Sequence, residues 1–186
     1  MLEEIIKSTE QRMQKAIDAL KKDLAALRTG RANPAIVEHV LVDYYGVPTP
    51  LNQIAGITAP EARLLVVQPW DRSAIQAIEK GIIRSSLGLN PANDGQVIRI
   101  PIPALTEERR RDMVKQVHKR VEEARVSIRN CRIDGRDEVR EKVKTGGGIS
   151  QDDEKRIMDS LQKLTDAFIL QAGNVGEAKE KELLTV

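Results

Sequence analysis

Five arginines, Arg125, Arg129, Arg132, Arg136 and Arg140, follow one another at steps of four, three, four and four. On a helix turning about 100° per residue they stay within roughly 80° of one another and form a row about 22 Å long. Arginine fills every position of the row and lysine none. A guanidinium is always charged, planar, and able to grip two phosphate oxygens at once. A rigid row of them suits a structured nucleic-acid backbone, read through its shape and phosphates. The plainer reading is a solvated helix face laced by ion pairs, such as Glu122 with Arg125 or Asp137 with Arg140. Charge runs on long helices are often only that, so the pattern by itself divides evenly between the two.

Other chemistry finds little support. His39 and His118 have no ligand spacing around them, and a zinc site needs more donors than these two. His118 shares the arginine face and extends it. Cys131 falls in an apolar seam, where a small core hydrophobe is the ordinary role. Gly146-Gly147-Gly148 has neither a strand before it nor the Gly-Lys-Ser/Thr of a phosphate loop, so it reads as an interhelical connection. No metal, cofactor or catalytic constellation is expected. The four aromatics, Tyr44, Tyr45, Trp70 and Phe168, are too few for a binder that stacks single-stranded bases.

The elements that hold the arginines follow from periodicity. Val114, Val117, Val121, Ala124, Ile128, Cys131 and Gly135 recur at three and four, an apolar seam that predicts one helix from about Thr106 to Lys144. Glu123, Asp134, Asp137, Glu138 and Glu141 take its far side. Residues 2–28 form a first helix on Leu2, Ile6, Thr9, Met13, Ala16, Leu20, Leu24 and Leu27, widened by Ile5 and Ile17. Ser150 with Asp152, Asp153 and Glu154 opens a third on Ile157, Leu161, Leu164 and Phe168. The helical pattern weakens beyond Ala172, because Gly173 and Gly176 each cost about 1 kcal/mol relative to alanine.

Between the first two helices the composition changes. Residues 35–103 hold seven of the eight prolines, a strand-like Ile36–Val42, a buried strand over 62–68, a helix from Asp71 to about Ser85 and a last strand over 96–102. Three amphipathic helices cannot each bury a stripe alone, so they pack together. The expected fold is α+β: a discontinuous, elongated three-helix bundle from 1–29 and 106–186, with a smaller α/β, β-rich domain inserted at 30–105. The chain crosses between them at 28–34 and 101–106. Gly30 gives the first crossing conformational freedom, and Pro101 and Pro103 hold the second extended, outside any helix or central strand. These three are the expected hinge.

The 186 residues carry a net charge of only +2, yet 109–144 hold thirteen Lys/Arg against seven Asp/Glu, and 150–186 hold five against eight. Basic character is therefore local to one helix. One cysteine excludes an internal disulfide and fits a reducing compartment. No apolar run approaches the roughly 20 residues that span a bilayer, and the opening MLEEIIKSTEQR lacks a signal peptide's layout. A cytoplasmic monomer with no membrane partner is expected.

Several stretches, in order along the whole chain, resemble the bacterial ribosome recycling factor family. They are Arg28-Thr-Gly-Arg31-Ala32, Tyr44-Tyr-Gly-Val-Pro-Thr-Pro-Leu51, Leu87-Gly-Leu-Asn-Pro91, Ile98-Arg-Ile-Pro-Ile-Pro103, Leu105-Thr-Glu-Glu-Arg-Arg110, Ala124-Arg125-Val126 and Arg129-Asn130-Cys131-Arg132. The resemblance implies an L-shaped, two-domain factor that occupies the ribosome after termination. With elongation factor G and GTP it would separate the subunits, releasing messenger and transfer RNA, with no enzymatic activity of its own. It further implies that the bundle lies on large-subunit ribosomal RNA through the residues matching Arg129 and Arg132, while the smaller domain meets elongation factor G. Arg28 and Arg31, in the first matching stretch, join the RNA-facing set. Two other classes compete: a generic helical RNA-binding or chaperone-like module, and an enzyme with a polar pocket at Asp71, Arg72 and Asp94.

Overall fold

Helix α1 (Leu2–Ala25) carries Glu3 and Glu4 in its first turn and Lys22 in its last, each complementing the helix dipole. The computed structural model describes residues 2–27 and 29–185. Within α1 the buried positions are Ile5, Thr9, Met13, Ile17, Leu20 and Leu24. All six belong to the expected stripe, with Ile5 and Ile17 in its centre, while Leu2, Ile6 and Ala16 are only half-buried. The helix also stops at Ala25, short of residue 28, with a final Leu27 N–H donating to the Leu24 carbonyl in a tightened last turn.

Helix α3 (Glu107–Lys144, 38 residues) buries Val117, Val121, Ala124, Ile128, Gly135 and Val139, with Val114 and Cys131 half-buried. It ends where Gly146 takes φ +74°, the Gly147 N–H returns to the Lys142 carbonyl, and the Gly146 N–H returns to Val143. That double bond is a Schellman stop, and it gives the glycine run its purpose. Helix α4 (Gln151–Leu184, 34 residues) starts on Ser150, whose hydroxyl accepts from the Asp153 N–H and donates to the Asp153 carboxylate at 2.7 Å. The hydroxyl and Arg156 together hold the Asp153 carboxyl below the usual range.

Helix α4 runs unbroken through Gly173 and Gly176, and packing explains why. A methyl at Gly176 would overlap Val121 of α3, and one at Gly173 would stand 3.0 Å from the Arg125 guanidinium. Similarly, a methyl at Gly135 would lie 2.7 Å from the Thr9 hydroxyl. At Gly176 and Gly135 a neighbouring helix packs directly on the glycine, so packing offsets the propensity cost there, whereas the neighbour of Gly173 is the end of the long Arg125 side chain. The α4 seam is Ile157, Leu161, Thr165, Phe168, Ala172, Gly176 and Leu183. Thr165 takes the core place expected of Leu164, which is half-buried; its hydroxyl is satisfied by the Leu161 carbonyl at 2.6 Å. Among the described residues, 2–27 and 107–185 make up this helical unit, and 29–106 make up a second.

The second unit holds two sheets. Strands β1 (Leu41–Tyr44) and β2 (Val47–Pro50) form a hairpin closed by Tyr45 and Gly46, with φ of +50° and +82°. That is the paired positive-φ turn that matches strand twist. Strands β3 (Ala55–Glu61), β4 (Leu64–Pro69), β5 (Ala92–Asn93) and β6 (Ile98–Pro101) form an antiparallel sheet in the order β3-β4-β6-β5. Helix α2 (Ile75–Arg84) buries Ile75, Ile78 and Ile82 into a core with Val42, Leu65, Val67, Ile98 and Ile100.

Three expectations need correction here. Residues 34–36 are a 3-10 turn begun by Asn33, so only the end of Ile36–Val42 is strand. Short β5 and β3, with its Gly56 and Pro60, carried no alternating apolar signal. Pro101 is not outside the sheet: it closes β6, an interior strand, opposite Leu64. It is tolerated there because β5 pairs only with Ile98 and Arg99, leaving no donor to supply at Pro101 on that side.

Candidate nucleic-acid interface

The arginine row lies along the flank of α3 that borders α4, beside the buried seam. Arg129 and Arg140 are exposed, whereas Arg125, Arg132 and Arg136 are half-buried, their stems lying against apolar surface. The head groups are held in different ways. The Glu122 carboxylate lies 3.7 Å from Arg125 and 3.2 Å from Arg129, so one acid serves two guanidiniums. Arg136 donates to Asp137 at 3.1 Å; Asp137 therefore takes Arg136 and not the expected Arg140. Arg132 donates instead across to α4, to the Gln162 amide oxygen at 3.0 Å. The Nε–H groups of Arg125 and Arg132 are buried without a hydrogen-bond partner among the described residues.

Farther along the same flank, His118 lies 3.2 Å from Glu180 of α4. With Arg125, Gly173, Gly176 and Glu177 these residues line a groove of about 320 Å³ between the two helices. The opposite flank is tied to α1, where Arg12 stands 3.6 Å from Asp134. Helix α3 thus has an acidic flank towards α1 and an arginine flank towards α4. These exposed pairs are each worth about 0–1 kcal/mol, so a phosphate can displace them.

Of the remaining candidates, Arg31 is exposed in the second unit, and Arg28 lies outside the described residues. Gly30 has φ +75°, and a side chain there would stand 3.1 Å from Leu105 Cγ. Cys131 is half-buried, and its thiol is pushed up by burial, against the opposing pull of Arg12, which makes it a poor nucleophile. The carboxylates of the competing enzyme reading are consumed locally. Asp71 accepts from the Ser73 N–H and hydroxyl and from Tyr44 and Tyr45, and its pKa falls for that reason, the Ser73 hydroxyl first. Asp94 accepts from the Val97 and Gln96 N–H groups and from Arg99, which hold it well below the usual range. Among the described residues no group of three or more His, Cys, Asp or Glu could hold a metal ion, and no helix is long and apolar enough to cross a membrane.

Gln162 carries no signal in the pattern of α4 itself. Only the placement of α4 against α3 brings it to Arg132.

Residues 20–184 match the family model described as ribosome recycling factor. The ribosome-recycling factor of Syntrophomonas wolfei is 55% identical over 188 residues, with 100% of both chains covered. That of Thermomicrobium roseum is 53% identical over 186 residues, again covering both chains fully. A solution structure of the ribosome recycling factor shares 46% identity at a TM-score of 0.73, covering 100% of this chain and 98% of that one. A second structure, at 49% identity and a TM-score of 0.63 with 99% of each chain covered, comes from models for the T. thermophilus ribosome recycling factor and the E. coli elongation factor G bound to the E. coli post-termination complex.

Proposed function

This chain belongs to the ribosome recycling factor family, and on that premise we propose that the arginine flank of α3 is the surface by which it binds the ribosome. The protein acts in ribosome recycling after termination, with elongation factor G as its partner on the post-termination complex. The flank's occupant is the phosphate backbone of large-subunit ribosomal RNA. What carries this reading is the row itself: five guanidiniums, none replaced by lysine, kept beside a buried seam. Arg31 and Arg28 would extend the same RNA-facing set.

The helical unit and the 29–106 unit act as separate domains in this proposal. The second offers a protein partner several large exposed apolar side chains, among them Leu41, Tyr45, Val47 and Trp70, which suits elongation factor G. The factor itself carries out no chemical step, and the GTP is hydrolysed by its partner. The direct test is dissociation of post-termination ribosomes into subunits. Splitting is expected only when the protein, elongation factor G and GTP are all present. Efficient splitting without elongation factor G would leave a generic RNA-binding module as the better description.

Gly30 and Pro103 form the hinge between the domains in the same proposal, with Pro101 fixed at the end of β6. A valine at Gly30 would meet two penalties, a left-handed backbone costing about 1–2 kcal/mol for an L-residue and the crowding by Leu105. Gly30→Val is therefore expected to impair splitting by elongation factor G while ribosome binding, measured by co-sedimentation, stays near the parent's. Loss of binding together with splitting would remove the hinge role and leave Gly30 a residue needed only for folding.

A further inference from the structure

Arg132 differs from its neighbours in what holds it. Arg125 and Arg129 share the Glu122 carboxylate and Arg136 leans on Asp137, so part of their charge is met inside the protein. Arg132 is held by a neutral amide, Gln162 Oε1, at 3.0 Å. That amide is itself fixed, because Gln162 Nε2 donates to the Asp166 carboxylate at 2.9 Å one turn along α4. Reversing the amide would set its NH₂ against a guanidinium and its oxygen against a carboxylate, so the chain Asp166–Gln162–Arg132 has one stable orientation. The Arg132 Nε–H is buried without a hydrogen-bond partner among the described residues, so the bond to Gln162 is the contact that fixes the direction of the fork. The guanidinium is therefore oriented without being neutralised.

We infer that Gln162 is a positioning residue for the ribosome contact, holding Arg132 preorganised and fully charged towards an RNA phosphate. This rests on the arginine-flank reading above. Its physical content is twofold. A side chain already ordered in the free protein loses less rotamer entropy on binding, and a neutral partner need not be displaced by the phosphate. Within the row, Arg132 is then the residue whose loss matters most.

The test compares Gln162→Leu, Gln162→Glu and Arg132→Ala, singly and combined, for binding to purified large ribosomal subunits over a range of salt. Gln162 is exposed, so the folded helical content and melting temperature should match the parent's. Gln162→Leu removes the acceptor but leaves the charge of Arg132. It is expected to weaken binding about threefold to tenfold, from the lost preorganisation of one long side chain, with the salt slope unchanged. Gln162→Glu supplies a carboxylate at the same place. It should weaken binding at least as much and lower the salt slope by about one counterion, through neutralisation of Arg132. In the Arg132→Ala background, Gln162→Leu should have no further effect, because its whole action passes through Arg132. An equal loss in both backgrounds, or no loss in either, overturns the positioning role. If Arg132→Ala itself leaves binding untouched, the arginine flank is not the ribosome contact, and that result is distinct from a failure at Gln162.

Discussion

Truncation of Ile128 to alanine is expected to lower the stability of the helical unit by about 2 to 5 kcal/mol. Ile128 is fully buried in the α3 seam, between Ala124 and the close approach at Gly135. Neighbouring helices close on α3 to either side of it: Thr9 of α1 and Leu161 of α4 at Gly135, and Gly176 of α4 at Val121. They cannot slide inward to fill the space, so the lost burial and the residual cavity both count. Urea unfolding followed by far-ultraviolet circular dichroism reads the effect, since helix dominates that signal. A midpoint equal to the parent's would place Ile128 outside the core and undo the seam assignment for α3.

The second large effect is on function. The double change Arg129→Ala with Arg132→Ala should reduce affinity for the large ribosomal subunit by about two orders of magnitude or more, if each lost charged hydrogen bond is worth about 1.5 kcal/mol or above. The salt slope should fall by about 1.4 to 1.8, as two phosphate contacts no longer release counterions. Neither change opens the buried seam, and exposed substitutions usually shift stability within about 0.5 kcal/mol. Arg132 is half-buried, so its stem adds a small packing loss. The discriminating measurement pairs a thermal melt with co-sedimentation. A protein that melts early but binds ribosomes normally would show that these arginines hold the helices together and do not contact RNA.

The helical unit was largely legible from periodicity, because a long helix repeats its signal many times. Ile128, Val121, Leu161 and Phe168 lie where steps of three and four put them. What periodicity could not reveal was which of two neighbours on the wheel is buried. Thr165 displaced Leu164, since a helix wheel measures angle and takes no account of the hydroxyl's ability to bond its own backbone. Gly176 looked like a weakness because propensity is local, while the contact that needs it comes from Val121 of α3. In the second unit, short strands rich in proline and glycine gave little alternation, so β3 and β5 were hidden until pairing with β4 and β6 defined them. The arginine row was visible as a pattern, but its internal partners depend on rotamers and on the neighbouring helix. Hence Asp137 turned to Arg136, and Gln162 was missed altogether.

The prolines of the second unit carry one more consequence. In the β1–β2 ladder, Tyr44 with Val47 and Val42 with Thr49 face each other across the two-residue turn. The alternation of an antiparallel ladder then turns the outward backbone positions of β2 onto Pro48 and Pro50, which have no N–H to offer. The outer strand of the larger sheet, β3, is interrupted by Pro60 and by a register shift between Thr58 and Glu61. At the other edge β5 is only two residues long. Three of the four strand edges, those of β2, β3 and β5, are thus poor templates for a further strand. Joining of copies edge to edge is disfavoured at those margins, and a partner of the second unit is expected to be gripped there by side chains and not by shared backbone hydrogen bonds.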